Sequence, residues 1–523
     1  MAFTSRSLSA QKPGHSQFDG ASLFAHIKTA MEAQTTCLCI VLVTLLGSAV
    51  AAWIHLHDSS IWYDEAITLL TTSGHAKLNW ALGLAQFKPS ANFSKIVSEL
   101  YQQDVHPPLY FWTLALWRVT FGQSLEVARS LSAVFTLGTL WLLYRAAKDW
   151  AMKWAYVPVV LYAVSSVGLR YAYNARPYAM VSFLIVLTLL LARRKSNWTG
   201  VCAAACIATH YFAALCVLPI LLAATAQEWK ISRRWVLMIW ASFLCCCAPL
   251  IPLLSIHVRA RPVQYTGFAS LHTELHALWK GAMASIMPST WLPGWTIALL
   301  LASGFALLGI WYLHRRMQWA LPFVYASFLL GIFLLAIATN KSIVQMPADY
   351  YLGIAAPILA LLVGFGVNAF PKASPVLAVV LVAGMVTARP MTHSIDYRTM
   401  AQQMRSECRA CPILVGVGYV GAIPACVLYE AQGMKVDLLE PNDTIQSAVQ
   451  RMGDPPEFFL VPSNEPATTQ IEQTLVRAYS AEPKHGYFEI EAEGKSAVLS
   501  PQENGANRRP NRVVVKNGNS NKP

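Results

Sequence analysis

Apolar segments recur along this chain from Cys37–His57 through Ser374–Ala388, each near the roughly 20 residues that a helix needs to cross a hydrocarbon core. This feature constrains the fold most. With 55% of residues hydrophobic, only 13% charged and a mean hydropathy of +0.41, the chain is too apolar for a soluble domain. The expected class is a polytopic α-helical membrane protein. Its first 36 residues are polar and mixed in charge, and read as a cytoplasmic segment. The apolar run that follows is longer than a signal-peptide core and reads as an uncleaved first span.

A net charge of +13 would suggest nucleic acid in a soluble protein. Here the cations lie mostly in short connectors, where the positive-inside rule accounts for them, and no nucleic-acid partner is expected. The clusters Arg145, Lys148 and Lys153; Arg193, Arg194 and Lys195; Lys230, Arg233 and Arg234; and Arg315 and Arg316 mark the cytoplasmic side. With the N-terminus inside, Asp64 is delivered outside, and Leu125–Tyr144 must return. His106–Phe121 is short and contains Arg118, so it fits an interfacial helix better than a span.

The same parity sends Val157–Leu169 out and Met180–Leu191 back, leaving Arg170 and Arg176 on the side of Asp64. Two short helices between Lys195 and Lys230 place Thr209-His210-Tyr211 at an outer turn. Trp235–Ser255, Thr296–Leu313, Trp319–Ala338, Tyr350–Phe370 and Ser374–Ala388 complete about eleven spans. The expected layout is a cytoplasmic segment over residues 1–36 and a transmembrane domain over 37–389 with outer loops 58–121 and 257–295. A periplasmic domain over 390–503 and a disordered basic tail over 504–523 follow. The expected setting is a cell membrane, with membrane lipids as the surroundings.

From Ile413 the pattern changes to short apolar strands at Ile413–Gly416, Val436–Leu439, Phe458–Val461 and Tyr487–Glu491, alternating with amphipathic stretches. That alternation is an α/β layer domain, and as an extracytoplasmic domain its simplest role is a cap. Gly416-Val417-Gly418 is too short to be a phosphate loop. Eight of the 11 cysteines lie within or beside apolar spans, where Cys behaves as a small hydrophobe. Cys408, Cys411 and Cys426 lie outside them, and an oxidising compartment would allow one disulfide among the three. The pairing stays open.

The outer face gathers unusual strings. Asp64 and Glu65 stand side by side after Ile61-Trp62-Tyr63, and Asp104-Val105-His106-Pro107-Pro108-Leu109-Tyr110 follows. An isolated acidic pair is more often a solvated loop, but arginines at the edges of later spans change the balance. Arg129, near the end of an apolar helix, is costly there without a partner or a purpose. Arg170 and Arg176 share its face, and an Arg fork binds two phosphate oxygens at once. Asp64 is the candidate general base, with Glu65 to orient it or to bind a cation. Pro107 holds His106 extended. Glu65, His106 and His210 offer ligands for a divalent metal ion, the one cofactor left open.

The ordered set Tyr63-Asp64-Glu65, His106-Pro107-Pro108-Leu109-Tyr110, Arg129 in Ala-Arg-Ser-Leu-Ser, Asn174-Ala175-Arg176-Pro177-Tyr178 and Thr209-His210-Tyr211 resembles the GT-C membrane glycosyltransferases. Within them it is similar to the bacterial branch of glycosyltransferase family 39, akin to protein mannosyltransferases and lipid A aminoarabinose transferases. The resemblance runs from about Cys37 to Ala388. It implies a polyprenyl-phosphate-linked sugar as donor, an envelope lipid, glycan or protein as acceptor, and inversion at the anomeric carbon. It implies Asp64 as catalytic group, with Glu65 beside it. By position it matches Arg129 and Arg176 to cations near the lipid phosphate; His106, Arg170, Tyr178, His210 and Tyr350 are further candidates on the substrate side. One departure is Asp349-Tyr350 before Pro357, where relatives carry Arg-Tyr; Lys341 is the candidate substitute.

The reading is therefore a membrane glycosyltransferase. A transporter or lipid flippase is the rival from another class, yet such proteins keep ionisable groups near the midplane and show repeated halves. This chain gathers its polar residues at one face. An inactive relative serving as a scaffold is a third reading, kept open by Asp349.

Overall fold

The protein is described by a computed structural model over residues 20–58, 60–75, 80–103, 106–259, 267–288, 295–345, 351–386, 396–416, 422–439, 443–462, 473, 476, 480–484 and 487–491. Asp349, Tyr350 and the tail expected at 504–523 lie outside these residues.

Lipid offers no hydrogen bonds to a backbone, so long apolar runs close their own as helices. The first helix, α1 (Gly20–Asp58), begins ahead of the apolar run that starts at Cys37. Three short helices follow, α2 (Tyr63–Thr72), α3 (Phe93–Gln103) and α4 (Leu109–Phe121), before the long α5 (Leu125–Asp149). Then come α6 (Val157–Val164), α7 (Ser166–Ala172), α8 (Tyr178–Arg193), α9 (Thr199–Thr209), α10 (Ala214–Glu228), α11 (Arg233–Cys247), α12 (Ile251–Arg259) and α13 (Leu271–Ala284). The helical part ends with α14 (Trp295–Arg315), α15 (Ala320–Ala338), α16 (Ala356–Ala369) and α17 (Ser374–Val386).

Among the described residues, six helical segments are long and apolar enough to cross a membrane, and four apolar helices are shorter. The chain is a polytopic helical membrane protein. Thr209-His210-Tyr211 does form the turn between two helices, α9 and α10.

The crossing expected over Val157–Leu169 is broken instead of continuous. Ser165 is extended (φ −69, ψ 152), ends α6 and caps α7; its Oγ accepts from Gly168 N–H at 2.9 Å. A Cβ on Gly168 would meet Tyr162 O at 1.9 Å, so the tight break requires glycine. Elsewhere two glycines let backbones touch: a Cβ on Gly309 of α14 would meet Leu362 O, and one on Gly366 of α16 would meet Phe305 O, each at 1.9 Å. Close packing of small residues is how helices associate in lipid.

The C-terminal part holds α18 (Tyr397–Glu407), β1 (Ile413–Gly416), α19 (Ala422–Glu430), β2 (Val436–Leu439), α20 (Ile445–Met452), β3 (Glu457–Val461), β4 (Ser480–Pro483) and β5 (Phe488–Glu491). The sheet order is β2-β1-β3-β5-β4. β1 pairs in parallel with β2 and β3, while β5 runs antiparallel to β3 and β4. The four expected strands are present, and β4 is additional. Cys408 and Cys411 are joined in a disulfide, and Cys426 is a buried free thiol.

The helices share one large apolar core, and a second core joins the two parts of the chain. Ile61, Leu69, Leu70, Ile96, Phe111, Leu114 and Met180 pack in it with Met400, Met404, Ile413, Cys426 and Val427. The sheet domain is thus fused to the segment that carries Asp64 and Glu65.

Candidate active site

Asp64 and Glu65 occupy the first turn of α2, where the positive end of the helix dipole favours negative charge. Trp62 caps this helix in an extended conformation, and its N–H donates back to Glu65 Oε2 at 3.5 Å. Neighbours on a helix point about 100° apart, so one carboxylate turns inward and the other outward. Glu65 is 1% exposed, whereas the Asp64 side chain is 25% exposed.

The inward carboxylate is fully engaged. Arg129 donates from Nε to Glu65 Oε1 at 2.8 Å and from Nη2 to Oε2 at 2.6 Å, and Ala175 N–H donates to Oε1 at 2.9 Å. Arg129 also donates to Ser60 O at 2.8 Å and Leu56 O at 3.4 Å. Two buried charges are tolerable when their remaining hydrogen-bonding capacity is filled in this way. Arg129 was expected near a lipid phosphate; its fork faces Glu65. The pair locks α1, α2, α5 and the 174–177 turn together.

The outward carboxylate has a looser partner. Arg176 Nη2 lies 3.9 Å from Asp64 Oδ2, while Nη1 donates to Thr68 Oγ1 at 3.1 Å and to Asp64 O at 3.5 Å. Arg176 is placed by a turn in which Ser132 Oγ donates to Asn174 O at 2.7 Å and Trp62 Nε1 donates to Asn174 Oδ1 at 3.1 Å. Pro177 then starts α8. Tyr178 stacks on Tyr171, with centroids 5.4 Å apart and planes at 18°.

A row of rings continues from Tyr178 to His210 at 5.6 Å and from His210 to His106 at 5.2 Å. His210 caps the short helix after α9, its Nδ1 accepting from Phe212 N–H at 3.3 Å. The two histidines are therefore brought together, but Glu65 does not join them. Among the described residues the one group of three close metal-ligand side chains is Cys408, Cys411 and Glu457, and its two cysteines are spent in the disulfide. Arg170 sits half-buried in the last turn of α7, and Lys341 is half-buried after α15.

Arg118 and Glu430, neither named as a site candidate from sequence, hold the surroundings of α2, and Glu274 is a buried acid elsewhere in the fold. Arg118, 1% exposed, donates to Leu69 O, Thr72 Oγ1, Ser73 Oγ, Phe87 O and Gln123 O, tying down the end of α2. Burial lowers its pKa to about 10. Glu274, fully buried, accepts from Ala269 N–H, Ser342 Oγ and Ile343 N–H at 3.0, 2.7 and 2.6 Å. Glu430 reaches the strand before α2 from the sheet domain, its Oε1 accepting from Ile61 N–H at 3.0 Å. An Arg inside the apolar α4 was the one sequence signal among these. Glu274 and Glu430 look like ordinary surface acids until the chain is folded.

A cavity of about 370 Å³ lies elsewhere, lined by Trp150, Arg193, Gln227, Glu228, Gln318 and apolar neighbours. It opens at the far end of α8 from Tyr178, about 24 Å away for 16 residues, and none of the candidate residues lines it.

Residues 105–252 match the protein family described as dolichyl-phosphate-mannose-protein mannosyltransferase. Over that stretch the chain is similar to this mannosyltransferase family. The matched segment contains His106, Arg129, Arg170, Arg176, Tyr178 and His210, while Asp64 and Glu65 precede it. The resemblance read from the ordered motifs is borne out there, and with it the class of membrane glycosyltransferase.

Two solved structures are also similar. The apo form of ArnT from Cupriavidus metallidurans is 11% identical with a TM-score of 0.41, covering 86% of this chain and 97% of its own. The same protein bound to undecaprenyl phosphate is 12% identical with a TM-score of 0.40, covering 88% and 99%. No curated protein matches the chain in sequence.

Proposed function

We propose that the protein moves a sugar from a polyprenyl-phosphate carrier to an extracytoplasmic lipid, glycan or protein, with Asp64 as general base. One observation carries this reading: a partly exposed carboxylate stands on a helix turn immobilised by the buried Glu65–Arg129 pair, with the Arg176 guanidinium 3.9 Å away. Asp64 takes the proton of the acceptor hydroxyl as that oxygen attacks the anomeric carbon. The bond from this carbon to the phosphate oxygen breaks, and its electron pair leaves on the lipid phosphate. Attack from the face opposite the departing phosphate inverts the centre.

Arg176 is the cation best placed for the developing phosphate charge, and the half-buried Arg170 lies in the preceding helix. Arg129 belongs to the scaffold, because Glu65 and two backbone carbonyls occupy its donors. The row of Tyr171, Tyr178, His210 and His106 offers a wall for the sugar or lipid, and Tyr350 keeps its place as a substrate-side candidate. His106 and His210 would supply two ligands to a divalent ion, which would act as a Lewis acid on the phosphate.

The reading keeps about eleven crossings, supported by six long apolar segments and four shorter apolar helices, with the broken α6–α7 path taken as one more. Basic clusters sit at the ends of α5 and α8 away from Arg129 and Tyr178, which supports a cytoplasmic location for those ends. The site and the 390–503 domain are then periplasmic, a compartment in which the Cys408–Cys411 disulfide is at home. The test uses purified chain in lipid with a panel of labelled polyprenyl-phosphate hexoses and pentoses plus an envelope extract. Acceptor-dependent release of polyprenyl phosphate is expected; the absence of release with every donor would overturn the assignment.

A further inference from the structure

We infer that Glu430, from the C-terminal sheet domain, is a positioning residue for the Asp64 turn, so that the candidate site is complete only when that domain is docked. This rests on the reading of Asp64 given above.

Glu430, the last residue of α19, reaches the segment just before α2. Glu430 Oε1 accepts from Ile61 N–H at 3.0 Å and lies 3.5 Å from Ser60 Oγ. Its other oxygen is 3.5 Å from Arg398 Nε. Arg398 in turn donates its backbone N–H to Ser60 Oγ at 3.1 Å and a guanidinium N–H to His57 O. Ser60 and Ile61 are the last residues before the Trp62 cap, and an extended residue outside any helix has no partner of its own for its amide. The sheet domain supplies one.

The same segment is also held from within the helical part: Ser60 O accepts from Arg129 Nη2 at 2.8 Å, so Ser60–Ile61 is tied both to the guanidinium bound to Glu65 and to the carboxylate of Glu430. Alongside, Tyr429 Oη accepts from Leu125 N–H at 3.1 Å and packs its ring on Phe87 at 5.4 Å. The Glu430 side chain is 8% exposed, and a carboxylate buried to this degree needs its partners. Because the helix starts from Trp62, any slack in Ser60–Ile61 moves the Asp64 carboxylate, and misplacement by about 1 Å can cost 100-fold in rate.

The full-length chain in lipid is compared as wild type, Glu430→Ala and Glu430→Gln, with Asp64→Asn in parallel. Glutamine keeps an acceptor oxygen for Ile61 N–H and alanine does not. Hydrogen exchange in peptides spanning 60–65 is expected to rise about tenfold in the alanine variant and to stay near wild type in the glutamine variant. Turnover of the labelled donor should fall about tenfold in kcat with an unchanged KM in the alanine variant. Should that variant not fold, Glu430→Asp, one methylene too short to reach Ile61, takes its place. Wild-type exchange in the alanine variant, equal effects of alanine and glutamine, or protection lost throughout the chain would each overturn the inference. Wild-type turnover by Asp64→Asn would overturn the base assignment alone, since the exchange result is read without any activity.

Discussion

Arg129 and Glu65, 64 residues apart in sequence, form a two-pronged ion pair with each side chain 1% exposed, at 2.8 and 2.6 Å. Removing one partner leaves a bare charge in a dry site, which typically costs about 3–5 kcal/mol. Glu65→Ala and Arg129→Met should each lower the thermal unfolding temperature of the purified protein by several degrees. The double variant should lose less than the two single losses combined. Additive losses would show that the two groups do not depend on each other.

This pair also shows how far the sequence could be read. An Arg inside an apolar helix and an acidic pair beside a span were legible as oddities, since both are expensive in a membrane without a reason. Apolar length made the helices legible, and strand alternation marked β1, β2, β3 and β5. Which carboxylate turns inward depends on tertiary contacts, so the partner of Arg129 was not legible. The break at Ser165 was hidden because a continuous apolar run covers it, with only Ser165 and Gly168 as faint signs. Glu430 was beyond reach, because its value comes from a contact across 369 residues.

Glu274 offers a pH test. Burial alone would raise its carboxyl pKa, but hydrogen bonds from Ser342, Ala269 and Ile343 outweigh it and hold the group below its ordinary value. A folded pKa below the unfolded value of about 4.3 means stability that is present above that pH and lost as pH falls through the folded pKa. Glu274→Gln should therefore unfold at a lower temperature than wild type at pH 7, with the gap closing below about pH 4. A gap that is constant across pH would contradict the carboxylate's role.

The cysteines can be counted directly. Nine are free and two are paired, so alkylation of the unfolded, unreduced chain should add nine groups by mass, and prior reduction should raise this to all 11. In the folded protein Cys426 should resist alkylation, because burial, and then the charges of Glu65, Glu430 and Asp64, push its thiol well above the usual range. Rapid labelling of Cys426 would argue against the docked sheet domain.

The most direct measurement is donor turnover by Asp64→Asn in lipid, beside wild type, with folding checked by thermal unfolding. Loss of a general base predicts a fall of about 10²- to 10⁴-fold in acceptor-dependent release of polyprenyl phosphate, with an unfolding temperature near that of wild type, since Glu65 and Arg129 hold the turn. Wild-type release from this variant would contradict Asp64 as the base.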